Sequence, residues 1–138
     1  MKKQILKKQN VVDLGCGKAH LSEYYKKDPR FNFTNIDHIS TNSHIIQGDI
    51  SQLPLDDHSQ EMAILCLAMW GSNCKEYLRE AHRVLETHGN LYMVEATKRW
   101  TTEGESPASR LKDVLRENGF MIVEEIIEKF CYFTPVNN

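Results

Sequence analysis

The chain has 138 residues, of which 41% are hydrophobic, and its 17 Lys and Arg against 19 Asp and Glu give a formal net charge of −2. This length fits one domain around a single core, so we expect one domain over residues 1–138. No apolar run reaches the roughly 18–20 residues that a membrane helix needs, so no membrane partner is expected. The charge balance lacks the basic excess typical of domains that bind nucleic acid through their own surface.

The cysteines, lysines and histidines narrow the possible class of protein further. The four cysteines are scattered without a Cys-x-x-Cys pair, which favours reduced thiols in an intracellular protein over a disulfide framework or a zinc site. The lysine-rich stretch KKQILKK, within residues 1–9, predicts a solvated basic end. The six histidines are dispersed without metal-ligand spacing, so no metal is expected.

The first half of the chain predicts short strands with little room for helices between them. In chain order the predicted elements are strand NVVDL (10–14), a helix over 18–27, strand FNFTNID (31–37) and a short strand within SHIIQGD (43–49). The first strand is apolar and β-branched and is closed by a glycine, and Pro29 ends the helix.

The second half begins with the most continuous apolar run, EMAILCLAMW (61–70), which predicts a central strand covered on both faces. Apolar residues at helical spacing then predict a helix over 73–89 with Gly89 as its terminator. The remaining predicted elements are strand GNLYMVEA (89–96), a helix within 106–120 that stops at Asn118-Gly119, and two strands within 121–136 that meet near 127–129.

Strands alternating with helices are typical of an open α/β sheet with mostly parallel neighbours. The pattern gives seven strands and only about three good helices, so a pared-down doubly wound, Rossmann-like sheet is expected. The last two strands have no helix between them and should be antiparallel. In such sheets the ligand lies beyond the carboxyl ends of the strands, where the strand order reverses.

The turn VVDLGCGKAH (11–20) resembles a nucleotide-binding turn but lacks the third glycine of the dinucleotide fingerprint, because His20 stands in its place. Gly15 and Gly17 allow a tight turn and a close backbone approach to a ligand, although a tight strand-to-helix turn alone would use them equally well. Asp13, two residues before Gly15, suits a ligand that carries a positive charge or an amino group better than a diphosphate.

Two further carboxylates follow the next strands. Asp37 ends the second strand and fits an acceptor for ribose hydroxyls, and Asp49 follows the third strand and fits an acceptor for an adenine amino group. Either residue alone is equally explained as a helix cap or a turn residue. Together with Asp13 they favour S-adenosylmethionine, whereas His20 and Asp13 argue against a nicotinamide oxidoreductase.

The segments VVDLGCGKA, NID and GDISQLPLDDHS resemble the class I S-adenosylmethionine-dependent methyltransferases. ILCLAMWGSN, followed by YLREAHRVLETHGNLYMVEATKRW and LKDVLRENGFMIVEE, resembles the ribosomal RNA-processing protein 8 (nucleomethylin) family. That resemblance runs from about Asn10 to Phe133. It implies a Rossmann-like methyltransferase that acts on N1 of an adenine in large-subunit ribosomal RNA, works in the nucleus and nucleolus, and is monomeric. A histone-binding role in a chromatin-silencing complex is described for the animal member.

The turn and the resemblance together define an expected cofactor site for S-adenosylmethionine and its product S-adenosylhomocysteine. Its members are Asp13, Gly15, Cys16, Gly17, Asp37, Asp49, Ile50 and Cys66. Apart from the resemblance, Cys66 would be interpreted as a buried core thiol.

Methyl transfer creates positive charge on an adenine ring, and a nearby carboxylate would stabilise it. Glu95, at the end of the fifth strand, is the candidate catalytic residue; a solvated strand-end residue is the alternative interpretation. Trp70 fits base stacking, with core packing as its alternative. Lys98 and Arg99 fit contacts with phosphate, and the alternative interpretation for both is a solvated surface position.

The family carries a segment before the first strand that helps to close over the cofactor, and this chain has nine residues there. It is therefore expected to be a catalytic core or a reduced member. A second hypothesis from another class remains open, namely a cofactor-binding scaffold or a chromatin or histone reader without transfer activity.

Overall fold

The computed structural model describes residues 8–16, 19–40, 42–66, 74–128 and 130–137. Within them, seven strands form one sheet in the order β3-β2-β1-β4-β5-β7-β6. The strands are β1 (Gln9–Leu14), β2 (Phe31–Asp37), β3 (Ile45–Gln47), β4 (Gln60–Cys66), β5 (Leu85–Ala96), β6 (Phe120–Ile127) and β7 (Phe130–Asn137). The helices are α1 (His20–Tyr24), α2 (Cys74–Val84) and α3 (Ser109–Glu117), with one 3-10 helix (Thr97–Trp100).

The centre of the sheet is β1, which pairs in parallel with both β2 and β4. Since β2 lies on one side of β1 and β4 on the other, the strand order reverses between β1 and β4. At this point an open α/β sheet forms its ligand crevice. The predicted Rossmann-like fold class is confirmed, and so is the antiparallel end of the sheet, where β7 pairs antiparallel with β5 and β6.

The two faces of the sheet are covered unequally. Val12, Leu14 and Leu65 belong to one buried cluster with the apolar side chains of α2 and α3. Because side chains alternate along a strand, Asp13 points to the opposite face. On that face α1 gives little cover, because none of its residues is buried. Tyr25, which follows α1, packs on the sheet there, with its ring centroid 5.4 Å from that of Phe31.

The boundary between α2 and β5 differs from the sequence prediction. The helix ends at Val84 rather than near Gly89, and the strand begins at Leu85. Leu85 pairs with Gln60 ahead of a bulge in the β4–β5 register, so strand pairing overrides the helical periodicity. The prediction of Gly89 as a helix terminator is wrong. Gly89 lies within β5, where a Cβ would come within 2.9 Å of the Glu86 carbonyl oxygen.

Two other elements are shorter in the structure than the sequence predicts. The helix predicted over 18–27 is described from His20 to Tyr24, since a helix that buries none of its residues gains little from a longer span. The strand predicted over 61–70 is described to Cys66, and residues 67–73 lie outside the described residues. The face of this strand that carries Met62 and Ile64 is only half-buried, so the predicted covering of both faces is not observed.

Among the described residues, none of the helices has the length and apolarity to cross a membrane.

One side chain joins α2 to the loop that follows β3. The Arg83 guanidinium donates to the carbonyl oxygens of Leu55 and Leu53, at 2.8 and 3.1 Å. It also pairs with Glu80, at 2.5 Å, and with Asp57, at 2.7 Å. Glu80 in turn accepts a hydrogen bond from the Leu53 amide at 2.8 Å. This cluster holds the segment from 48 to 59, which includes Asp49 and Ile50, against the helix.

We predict that Arg83→Gln lowers the free energy of unfolding by about 1–3 kcal/mol, because it removes charged hydrogen bonds and leaves two carbonyl oxygens without a partner. Urea unfolding followed by circular dichroism measures the change. Arg79→Gln, at an exposed position one turn earlier on α2, is the matched control and should change stability by less than about 0.5 kcal/mol. Equal effects of the two substitutions would contradict the role of Arg83.

Candidate active site

The carboxyl ends of β1, β2 and β4 meet at one edge of the sheet. Asp13 lies opposite Asn35 of β2 and Ile64 of β4 in the strand register. Immediately after β1 the chain turns at Gly15, whose φ is 73°. This is the left-handed region that glycine enters without steric cost. The Gly15 and Cys16 amides both donate to the Ile36 carbonyl oxygen, at 2.8 and 3.2 Å, so the turn is fixed to the neighbouring strand.

Asp13 and Asp37 form a pair of like charges at this edge. Asp13 is 7% exposed. Burial, together with the Asp37 charge, raises the pKa of Asp13 to about 6. The same two carboxylates add to burial in raising the pKa of the Cys16 thiol to about 11. A pair of carboxylates of this kind favours a cation, because a positive group would relieve the repulsion and restore the ionised form of Asp13.

Asp37 and Asp49 are oriented by their own backbone. The Ile39 amide donates to Asp37 Oδ1 at 3.2 Å. The Ser51 amide donates to Asp49 Oδ1 at 2.8 Å, and hydrogen bonding by Ser51 lowers the pKa of Asp49. Asp49 is exposed, so its carboxylate is accessible to a ligand. The Ile50 side chain is 2% exposed and belongs to the core, so a ligand would contact Ile50 through its backbone.

Cys66 and Glu95 occupy the next two strand ends. Cys66 is exposed, and the alternative of a buried core thiol is wrong. Burial of the sulfur raises the pKa of Cys66, and the charges of Asp13 and Glu95 raise it further, so both carboxylates act on the same strand end. Glu95 is 2% exposed, which makes the alternative of a solvated strand-end residue wrong as well.

Some predicted site residues cannot be placed. Gly17 and Trp70 lie outside the described residues. His20 begins α1 and is exposed. Among the described part of the chain no group of three or more His, Cys, Asp or Glu side chains is arranged to hold a metal ion.

Sequence reasoning missed Asn35, which shares the ligand edge with Asp13. Asn35 is 3% exposed, and its Oδ1 has no hydrogen-bond partner among the described residues. Its Nδ2 donates to the His44 carbonyl oxygen at 3.5 Å. The alternation in FNFTNID places Asn35 on the same face as Asp37, and a polar residue at that position of an inner strand was the signal that could have identified it.

The chain matches a known protein family over most of its length. A family model described as a hypothetical methyltransferase matches residues 1–134. A 25S rRNA (adenine(645)-N(1))-methyltransferase of Schizosaccharomyces pombe is 33% identical over 97 residues, which cover 69% of this chain and 30% of that protein. Ribosomal RNA-processing protein 8 of Caenorhabditis briggsae is 36% identical over 95 residues, 69% of this chain and 28% of that protein. The chain thus spans about 30% of the length of these curated relatives.

Solved structures share the fold. The [4+2]-cyclase SpnF superposes with a TM-score of 0.78 at 17% identity, covering 94% of this chain and 74% of that one. A SAM dependent methyltransferase from Aquifex aeolicus superposes with a TM-score of 0.74 at 14% identity, covering 96% of this chain and 85% of that one. These likenesses show the fold, and the sequence matches show the family. The chain belongs to the ribosomal RNA-processing protein 8 family of methyltransferases.

Proposed function

We propose that the protein is an S-adenosylmethionine-dependent methyltransferase that methylates N1 of an adenine in large-subunit ribosomal RNA during ribosome biogenesis. The observation that carries the cofactor assignment is the buried Asp13 beside Asp37, at the edge where the strand order reverses. The names of the relatives support the substrate, since an adenine-N1 methyltransferase of 25S rRNA is among them.

The described residues fit this cofactor in charge and in hydrogen-bonding capacity. Asp13 faces the amino acid end, where a sulfonium and an ammonium group supply the cation that the paired carboxylates lack. Asp37, held by the Ile39 amide, accepts from the ribose hydroxyls. Asp49 accepts from the adenine amino group, and the Ile50 backbone follows along the same ring. Gly15 and Cys16 bring the backbone close to the ligand, and Gly17 and Cys66 complete the proposed set.

When bound, S-adenosylmethionine supplies an electrophilic methyl group on a sulfonium. The residues of the chain need only hold this group in line with a nucleophilic ring nitrogen, and alignment of that kind can lower a barrier by roughly 7–11 kcal/mol. Glu95 stabilises the positive charge that forms on the methylated adenine. Its low exposure favours a charge effect across a region of low dielectric over a direct contact.

The finer assignments belong to the same proposal. All the described strands join one sheet, which supports a single methyltransferase domain over residues 1–138. The proposed ribosomal substrate supports a location in the nucleolus, which localisation of a tagged chain tests. A monomer is proposed with it, and sedimentation tests the oligomeric state. If the protein is instead a scaffold or histone reader, it should bind S-adenosylmethionine without transferring its methyl group.

We predict that the protein transfers a labelled methyl group from S-adenosylmethionine to large-subunit ribosomal RNA and creates one new primer-extension stop, because a methyl on N1 blocks base pairing. Asp37→Ala should weaken cofactor binding by about 100-fold or more, because it removes two hydrogen bonds to a charged acceptor, at about 1.5 kcal/mol each. Calorimetry measures the binding, and circular dichroism checks that the fold is retained.

The matched control is Asp113→Ala, at an exposed position on α3, which should leave binding and transfer unchanged. Unchanged cofactor affinity in Asp37→Ala would contradict the ribose assignment. Cofactor binding without transfer to any ribosomal RNA would contradict the enzymatic proposal and favour the scaffold.

We also predict that cofactor binding weakens as the pH falls through about 6. The free protein holds Asp13 with a pKa of about 6, and a bound cation lowers that pKa, so binding favours the ionised carboxylate. Below pH 6 the carboxyl must lose a proton before it can pair. The dissociation constant should therefore rise by about tenfold per pH unit there and stay flat above pH 7.

Calorimetry in buffers of different ionisation enthalpy measures the proton released on binding near pH 6. The Asp13→Asn variant tests whether this carboxyl is the group that releases the proton. The variant should bind S-adenosylmethionine more weakly than the unmodified protein at pH 8. Its dissociation constant should no longer rise about tenfold per pH unit below pH 6. A variant that keeps the full dependence would show that another group is responsible.

A further inference from the structure

Two arginines are stacked on one buried tryptophan at the end of the sheet that carries Glu95. Trp100 is 5% exposed, and its indole Nε1 has no hydrogen-bond partner among the described residues. The guanidinium carbons of Arg99 and Arg110 each lie 5.6 Å from the Trp100 ring centroid. Arg110 Nη1 also donates to the Arg99 carbonyl oxygen at 3.4 Å. We refer to these three residues as the arginine–tryptophan cluster.

The cluster lies beside the proposed reaction site. The 3-10 helix that carries Arg99 and Trp100 starts at Thr97, two residues after Glu95. Arg110 lies in the first turn of α3. The positive charge of Arg99 reaches the start of α2, where it opposes the increase in the pKa of Cys74 caused by burial, and Glu95 acts on the same thiol. Arg99 and Glu95 therefore both lie within electrostatic range of the start of α2.

Stacking on an aromatic face restricts the orientations of a guanidinium. A planar guanidinium carries five N–H groups, and its fork matches the oxygens of a phosphate. Arg110 is exposed, and Arg99 is half-buried. Two guanidinium groups on one ring are thus preorganised, which reduces the entropy that each would lose on binding an anion.

We propose that the arginine–tryptophan cluster is a phosphate-binding site that holds the RNA backbone next to the nucleotide being methylated. This inference rests on the proposed function, since it assigns the surface that receives the substrate of the same site. Lys98 is exposed beside the cluster and adds a third positive charge.

The surrounding charges limit the site to a few contacts. Glu103 and Glu105 are exposed on the loop between the 3-10 helix and α3. Glu128 and Lys98 line one shallow depression of about 380 Å³ next to the cluster. A surface with this mixture of charges does not attract a polyanion over its whole area. It selects one or two phosphates at the stacked guanidinium groups, and this agrees with the net charge of −2 for the chain.

The test measures binding of a fluorescein-labelled single-stranded RNA of about 20 nucleotides by anisotropy, at salt concentrations from 50 to 200 mM. Arg110→Gln should weaken binding at 50 mM salt by about tenfold. It should also reduce the slope of log K against log salt by about 0.7, as expected for one lost phosphate contact on a single strand. Arg110→Lys keeps the charge but not the planar fork, so it should recover only part of the affinity.

The matched control is Arg116→Gln. Arg116 is exposed on the same helix, toward its other end, and its Nη1 lies 3.8 Å from Asp113 Oδ1. It carries the same charge but is not part of the stacked pair, so its loss should change the RNA affinity by less than twofold. Trp100→Phe keeps an aromatic ring in the core and should weaken RNA binding by a few-fold while the protein still unfolds cooperatively.

Equal RNA affinities for the Arg110→Gln and Arg116→Gln variants would overturn the proposal, as would the absence of RNA binding by the unmodified protein. Cofactor affinity should be the same in all these variants, and a loss of cofactor binding in Arg110→Gln would also count against a separate phosphate site. A different result would contradict the proposed function. If no methyl transfer occurs but Arg110→Gln still loses RNA affinity, the phosphate site stands and the enzymatic proposal falls.

Discussion

The candidate site depends on one electrostatic constraint, the placing of two carboxylates at the ends of adjacent parallel strands. Parallel pairing of β1 with β2 brings Asp13 and Asp37 to the same edge, and burial of Asp13 keeps water from screening them. A buried carboxylate beside another is costly unless it is protonated or paired with a cation. This pair of carboxylates therefore favours a cationic ligand, and the turn that follows β1 needs the positive φ of Gly15.

The sheet by itself does not specify the chemistry. A [4+2]-cyclase and a SAM dependent methyltransferase both superpose on this chain with TM-scores above 0.7. The common property of such folds is a crevice at the reversal of strand order, and the side chains at the strand ends determine what binds there. In this chain those side chains are carboxylates at β1 and β2, a thiol at β4 and a buried glutamate at β5. The family to which the chain belongs is one of methyltransferases.

The sequence predicts well those features that local pattern controls. The apolar, β-branched NVVDL and the alternating FNFTNID became β1 and β2, and their terminal aspartates lie at the predicted edge. It predicts poorly what depends on tertiary pairing. Leu85 satisfies helical and strand patterns equally, and only its pairing with Gln60 selects the strand. Arg83 could not be recognised as the residue that fixes the Asp49 loop, because its carbonyl partners lie about 30 positions away in the chain. The stacking of Arg99 and Arg110 on Trp100 has the same origin, since it joins residues of two elements.

The two carboxylates of the proposed cofactor site and the two arginines of the arginine–tryptophan cluster lie on opposite sides of β4, and this separation makes the two proposals compatible. The carboxylates Asp13 and Asp37 lie on β1 and β2, whereas Arg99 and Arg110 lie beyond β5, on the other side of β4. A polyanion held at the arginines is kept apart from the carboxylates that would repel it, and repulsion between charges exposed to solvent falls off over roughly 10 Å. A small cation held at the carboxylates can still present its reactive group toward β4, midway between the two. The order β2-β1-β4-β5 thus places the proposed donor and acceptor on either side of one strand end, that of Cys66.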